Sequence, residues 1–452
     1  MKNILIVAFL LISCTVWGAD LRVGIASRVI TPPLPFWMTG YASRTKPATQ
    51  VMYDIWAKAL VIEEKPGSRI IIVTTDILGL SHEVSEAVAS RVIKKYGINR
   101  SQLLLSSSHT HSGPVIWPAL SMIFDFNLED QHIVAGYTLK LTDDIVMVID
   151  SAMSHLTPMQ LWSGHGSADF AMNRRLPTDK GIINAKNPDG RVDHDVPVLK
   201  VATPDGVIKA ILFGYACHNT TLQDNNYLIN GDYAGFAQLE LQKAYPGATA
   251  MFFMGCGADQ NPQPRGTLEL VMQHGKSLAN AVQKALSGDL QPVRAPIRTD
   301  FTTVDLEFRP FDLESYQKEI QSADKYLQRR AKLMLEAYNK GWDVSRFRYP
   351  LQVVRFNKDL TILAMSDEVV VDYSLNMKKK YSHENLFVAG YCTEVICYIP
   401  TSRELDDGGY EPVSSMIYYG LPGPFANNVE EKIVTAIHRI MKHVGARPSK
   451  NR

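Results

Sequence analysis

Very little in this chain of 452 residues is extreme, and what it lacks is informative. Charge of one sign is missing: 47 Lys and Arg face 46 Asp and Glu, a net charge of +1, so nothing electrostatic points to a nucleic acid partner. Five cysteines are too few to build a disulfide scaffold. No internal repeat, low-complexity tract or long Pro/Gly-rich linker divides the chain, and after the N-terminus no apolar run is long enough for a membrane helix. What remains is ordinary globular usage, 46% hydrophobic and 21% charged, which excludes fibrous and disordered architectures. At about 150 residues per domain the length suits two or three domains, or one large α/β domain.

The first nineteen residues are expected to be an export signal. Lys2 precedes an apolar run over residues 4–12, followed by small and weakly polar residues to Ala19. Such a run is too short to span a bilayer and suits a secretory signal. Two processing routes stay open. Val16-Trp17-Gly18 presents small or branched residues to a signal peptidase, whereas Leu11-Ile12-Ser13-Cys14 resembles a bacterial lipobox in which Cys14 would carry a lipid anchor. Both predict an exported bacterial protein, whether periplasmic, secreted or held at the outer membrane by lipid. The other cysteines, Cys217, Cys256, Cys392 and Cys397, match no zinc ribbon; the first two sit in apolar strand-like runs and read as buried free thiols.

Strand-like and helix-like segments alternate. Residues 70–75, 103–106, 198–202, 208–215, 250–254, 360–365 and 385–389 read as strands, and residues 82–96, 130–154, 233–244, 269–286 and 428–444 as helices. Residues 312–340 are the most charged helical stretch and read as a solvated insertion. The pattern predicts an α/β fold, one large catalytic domain over residues 20–452 with mixed β-sheets flanked by helices.

Four polar clusters follow predicted strands, where ligand sites of α/β folds concentrate. Ser108-His109-Thr110-His111-Ser112-Gly113-Pro114 follows the second strand; on extended backbone, positions i and i+2 point the same way, so His109 and His111 can face one cleft. Ala216-Cys217-His218-Asn219 follows the fourth. Gly255-Cys256-Gly257-Ala258-Asp259-Gln260-Asn261-Pro262 follows the fifth, with glycines that allow close backbone approach. Met365-Ser366-Asp367-Glu368 and the stretch from Tyr391 to Glu411 form the fourth cluster. Two histidines and a carboxylate are a common ligand set for catalytic zinc.

Together these segments resemble the catalytic domain of the neutral/alkaline, non-lysosomal ceramidases. The resemblance is carried by Ile30-Thr31-Pro32-Pro33, Thr39-Gly40-Tyr41, Asp54, the His-Thr-His-Ser-Gly-Pro block, Met172-Asn173-Arg174, Ala216-Cys217-His218, residues 258–262, Asp367-Glu368, Tyr398 and Tyr410-Glu411. It implies one zinc ion held by His109, His218, Glu368 and Tyr398, the tyrosine being assigned to Tyr398 over Tyr410 on the local Tyr-Ile-Pro-Thr match. His111 and Arg174 would then lie near the reacting carbonyl. Two departures stand out. The family's catalytic serine position carries Asn261, whose amide is no comparable nucleophile. The chain also stops near the catalytic domain's boundary, without the C-terminal immunoglobulin-like domain of longer members.

The expected activity is therefore zinc-dependent hydrolysis of an amide by metal-activated water. His111 would protonate the leaving group or stabilise the oxyanion, and Arg174 would hold a carboxylate, phosphate or oxyanion. Asn261 would orient by hydrogen bonding, and Asp259 would orient a ligand histidine. The substrate would be a lipid or small-molecule acyl compound. An acylated sugar is the alternative, favoured by a polar, aromatic-lined mouth as an N-acyl lipid is by an apolar one. A non-catalytic surface protein retaining the fold is the third reading.

Overall fold

A computed structural model describes residues 21–449. The proposed signal over residues 1–19 and the lipobox with Cys14 lie outside them.

The architecture follows from strands whose two faces are both apolar. In Ser68–Thr75, Ile70 and Ile72 enter one core while Ile71 and Val73 enter another. Trp56–Lys65, Ile208–Tyr215, Thr249–Met254 and Leu360–Ser366 repeat this split. Period-two alternation with no polar face marks a sheet covered on both sides. These strands belong to one mixed sheet of thirteen, running in spatial order Thr249–Met254, Ile208–Tyr215, Asp195–Ala202, Thr157–Ser167, Leu21–Val29, Trp56–Lys65, Ser68–Thr75, Leu103–Ser107, Leu386–Cys392, Leu360–Ser366, Arg346–Phe356 and Ile297–Glu307, with Gln291–Val293 beside Thr157–Ser167.

The sheet folds across itself. One core joins Leu60, Ile62, Ile70 and Ile72 to Leu199, Leu212, Met251 and Phe253 and to Ile362 and Phe387, so its inner face closes on side chains from distant strands. Helices cover the outer faces. His82–Tyr96 and Leu128–Met153 pack over the central strands, Asp232–Ala244 and Leu268–Leu286 over one end, and Val371–Lys380 and Val429–His443 over the other. Their ends follow local chemistry: the Ser81 hydroxyl accepts the Val84 amide, and Gly97 closes His82–Tyr96 at a φ of 61°.

The α/β expectation holds, and each expected strand and helix is present, His82–Tyr96 and Ile208–Tyr215 with the bounds expected and the others shifted by a few residues; the charged stretch 312–340 divides into Leu313–Glu319 and Lys325–Lys340. It is an insertion between the antiparallel strands Ile297–Glu307 and Arg346–Phe356. It is not merely solvated, because Ala331, Met334 and Ala337 are buried and Tyr326 and Arg329 tie it to the rest of the molecule. Cys217, Cys256, Cys392 and Cys397 are all buried free thiols.

Candidate active site

Three chain segments converge where parallel strands end. After Leu103–Ser107, the Ser108 amide still donates to Thr75 O (2.9 Å) and the His109 amide to Ile77 O (2.9 Å). His109 itself turns left-handed, at φ 60°. The expected extended i, i+2 geometry is thus not what aligns His109 with His111. A left-handed non-glycine residue costs about 1–3 kcal/mol and persists only where its surroundings impose it. Here the next loop does so: Thr110 pairs with Asn219, and the His111 amide donates to Asn219 O (3.2 Å), locking the two histidine loops together. The His218 amide donates to Gln260 O (2.9 Å). Glu368 arrives through another left-handed residue, Asp367 at φ 65°, and lies in register opposite Tyr398 on a short parallel ladder.

The side chains then meet with a specific mismatch. His109 Nδ1 lies 2.8 Å from Leu78 O, and His218 Nδ1 lies 2.8 Å from Gly257 O. A carbonyl accepts only, so each Nδ1 donates, and in the neutral ring each Nε2 then presents its lone pair to the cluster. Both Nε2 atoms lie 3.2 Å from Glu368 Oε2, a buried oxygen with no hydrogen-bond partner. Burial, reinforced by Arg174, pushes the His218 imidazolium pKa down to about 4, so the ring is neutral. With both rings in that tautomer, three acceptors converge on one point and repel unless a cation sits among them. His109, His218 and Glu368 therefore fit a divalent metal, and two nitrogens with one carboxylate suit zinc. Carbonyls on the far ring nitrogens supply the orienting bonds that metal-bound histidines ordinarily have.

His111 belongs to the same cluster, its Nε2 3.1 Å from His109 Nε2, and the ligand atoms of the three histidines lie within 4.8 Å of one another. Its Nδ1 differs, being buried without any partner. Burial, then His109 and His218, hold its pKa well below the usual imidazole range. Gly40 packs on this ring so closely that a Cβ would fall 2.5 Å from Nδ1, and Tyr41 leans over it with centroids 4.9 Å apart.

Tyr398 Oη lies 3.4 Å from His218 Nε2 and accepts from Arg174 Nη2 at 3.2 Å. Tyr410 packs edge-on to Tyr398 at 5.5 Å and makes no hydrogen bond to the histidines among the described residues. Arg174 is anchored by Glu411 at 2.8 Å, which also takes Arg175 at 2.7 Å. Asn261 Oδ1 receives Thr220 Oγ1 at 3.2 Å and faces Arg174 Nη1 at 3.5 Å.

Asp259 departs from its expected role. Its carboxylate accepts from Asn173 Nδ2 (2.9 Å) and the Val371 amide (2.8 Å) and touches no histidine. The histidine-orienting position is filled by the Gly257 carbonyl two residues earlier, and burial pushes the Asp259 pKa up to about 6.

Above the cluster lies a pocket of about 380 Å³. Its walls are chiefly polar and aromatic, with Tyr41, Asn184, Arg265, Tyr410 and Tyr418, beside the apolar Leu120 and Ile123. Tyr419, which donates to Glu368 Oε1, escaped the sequence reading, and Glu411, singled out there without a role, neutralises Arg174. The doublet Arg174-Arg175 was the available hint for a buried acid; nothing local marked Tyr419.

With this geometry in view, comparison with known proteins is informative. The profile of the family described as neutral/alkaline non-lysosomal ceramidase, N-terminal, matches residues 21–305, and the chain belongs to that family. It is similar to the neutral ceramidase of Pseudomonas aeruginosa, 30% identical over 213 residues that cover 44% of this chain. A neutral ceramidase of Mycobacterium tuberculosis is 22% identical over 300 residues, 60% of this chain. The matched stretches span 30% and 46% of those relatives' own lengths. A crystal structure of the Pseudomonas aeruginosa neutral ceramidase superposes with a TM-score of 0.73 at 20% identity, covering 95% of this chain and 75% of that one. At that identity the likeness is one of fold. Glu368, Tyr398, Glu411 and Tyr419 lie beyond the matched 21–305.

Proposed function

We propose that this chain is an exported, metal-dependent hydrolase that cleaves the amide bond of an N-acyl compound, with zinc as the metal. The observation that carries the reading is the unpartnered Glu368 Oε2 facing the Nε2 atoms of His109 and His218 at 3.2 Å. His109, His218 and Glu368 would hold the ion, with Tyr398 beside them. A zinc ion there supplies water of lowered pKa and polarises the scissile carbonyl.

The chain's own residues do the rest. Leu78 O and Gly257 O hold two imidazoles in the tautomer that presents Nε2. His111, lacking such a carbonyl, is free to carry a proton at either nitrogen and serves the leaving nitrogen or the oxyanion. Arg174, fixed by Glu411, keeps positive charge beside Tyr398. Asn261 orients through Thr220 and Arg174 and does not attack.

Membership of the ceramidase family supports the amide, and the polar, tyrosine-rich wall favours a second reading, an acylated sugar or other polar acyl compound. Export rests on residues 1–19, with anchoring through Cys14 as one form of it. Purified protein assayed on N-acyl lipids, N-acetyl sugars and O-acetyl sugars, with and without chelator, tests the proposal. Chelator-sensitive amide cleavage is expected; chelator-resistant cleavage overturns the mechanism, and cleavage of sugar esters alone overturns the amide.

A further inference from the structure

One cation in the pocket wall has no direct ion-pair partner among the described residues. Of the pocket's two lining arginines, Arg174 is taken up by Glu411, but Arg265 makes no ion pair and no side-chain hydrogen bond among the described residues. Arg265 is half-buried, on a loop tied to the His218 segment by the Gly266 amide donating to Thr221 O (2.8 Å). A second arginine lies behind the same wall. Arg44, 6% exposed, stacks 4.9 Å from the Tyr41 ring centroid and gives Nη1 to the carbonyls of Thr39 (2.6 Å) and His111 (2.7 Å). Its Nε and Nη2 are buried without partners, and no carboxylate pairs with it.

The acids near Tyr41 are otherwise engaged. Asp224 accepts from Ser43 Oγ (2.8 Å), and Asp232 accepts from the amides of Thr221, Leu222 and Tyr233. A half-buried guanidinium that lines the pocket with none of its donors taken by the protein is a receptor for an anion. Tyr41 spans the distance between this charge and the chemistry, since its ring also packs on His111.

We propose that Arg265, reinforced by Arg44 behind Tyr41, forms an anion subsite, and that the substrate is an N-acyl compound bearing a carboxylate or phosphate within a few bonds of its amide. This rests on the amidase reading. In the reaction the C–N bond breaks, the oxygen of water joins the acyl carbon, and a proton of that water goes to the leaving nitrogen. An N-acyl amino acid would thus yield a fatty acid and a free amino acid.

The test compares N-lauroylglycine, N-lauroyl phosphoethanolamine and the neutral N-lauroylethanolamine as substrates of the metal-loaded protein. At least one anionic compound is expected to exceed the neutral one in kcat/KM by about ten- to a hundredfold, the value of a charge-assisted hydrogen bond. Which of the two does so identifies the anion. Arg265→Gln should reduce that ratio to within about threefold, and Arg265→Lys should restore part of it. Equal turnover of the neutral compound, or a preference that survives Arg265→Gln, overturns the subsite while leaving the amidase standing. Calorimetric binding of the same anionic compounds to chelator-treated protein is a second readout. Binding that is about tenfold weaker in Arg265→Gln, in a protein that hydrolyses none of the three, sustains the subsite and overturns the amidase; binding indifferent to Arg265 overturns the subsite.

Discussion

The floor and the rim of the pocket are built by different means. On the floor, His109, His218 and Glu368 stand at strand ends, and their orientation comes from main-chain groups: Leu78 O, Gly257 O and the ladder pairing Glu368 with Tyr398. At the rim, Ala42 and the loop bearing Leu120 and Ile123 are held by side chains of the inserted helix Lys325–Lys340. Tyr326 Oη donates to Ala42 O (2.8 Å), Arg329 Nη1 to Met122 O (2.6 Å), and Lys325 pairs with Asp125 at 2.8 Å. Main-chain supports shift only with the sheet, whereas exposed ion pairs are worth about 1 kcal/mol or less. The chemistry is therefore placed rigidly and the mouth adjustably.

The floor should fail first and most completely. His218→Ala should lose stoichiometric metal and reduce amide turnover below detection, well past the roughly 10–100-fold cost of losing an outer partner of a ligand. Between floor and rim, Glu411→Gln leaves Arg174 buried without its counter-ion and Arg175 with only Glu404, 3.9 Å away. It should destabilise the fold by about 3–5 kcal/mol in urea melts, whatever it does to rate. His111→Ala should keep the metal and lower kcat by about a hundredfold with little change in KM, the signature of an interaction made in the transition state. The rim should give least. Tyr326→Phe removes one hydrogen bond, about 1 kcal/mol, and should raise KM a few-fold at unchanged kcat. A loss of turnover in Tyr326→Phe to match His218→Ala would break the distinction.

The same divide explains what was legible in the sequence. Doubly buried strands such as Ile208–Tyr215 read plainly because apolar runs bounded by polar loops have few other uses. The edge strand Ile297–Glu307 breaks its few apolar residues with runs of Arg, Thr and Asp, stays half-exposed, and was not expected. In the site, the histidines and Glu368 were visible because several polar clusters follow apolar strands, where ligand sites of α/β folds concentrate. The groups that orient them were not, because carbonyls of Leu78 and Gly257 leave no mark in residue identity. Asp259 misled for the same reason: an acid near a histidine reads as its partner, yet the backbone had taken that place. The left-handed turn at His109 was invisible because it falls on no glycine; the locking of its loop to Asn219, from a segment over a hundred residues away, imposes it.

Whether Glu368, His109 and His218 hold a metal ion is decided by metal content. Elemental analysis of the purified chain, with zinc titrated calorimetrically into chelator-treated protein, should show one ion per chain, and none retained in His218→Ala. A wild-type chain that binds no zinc tightly, or a His218→Ala chain that binds it as well, would contradict the account.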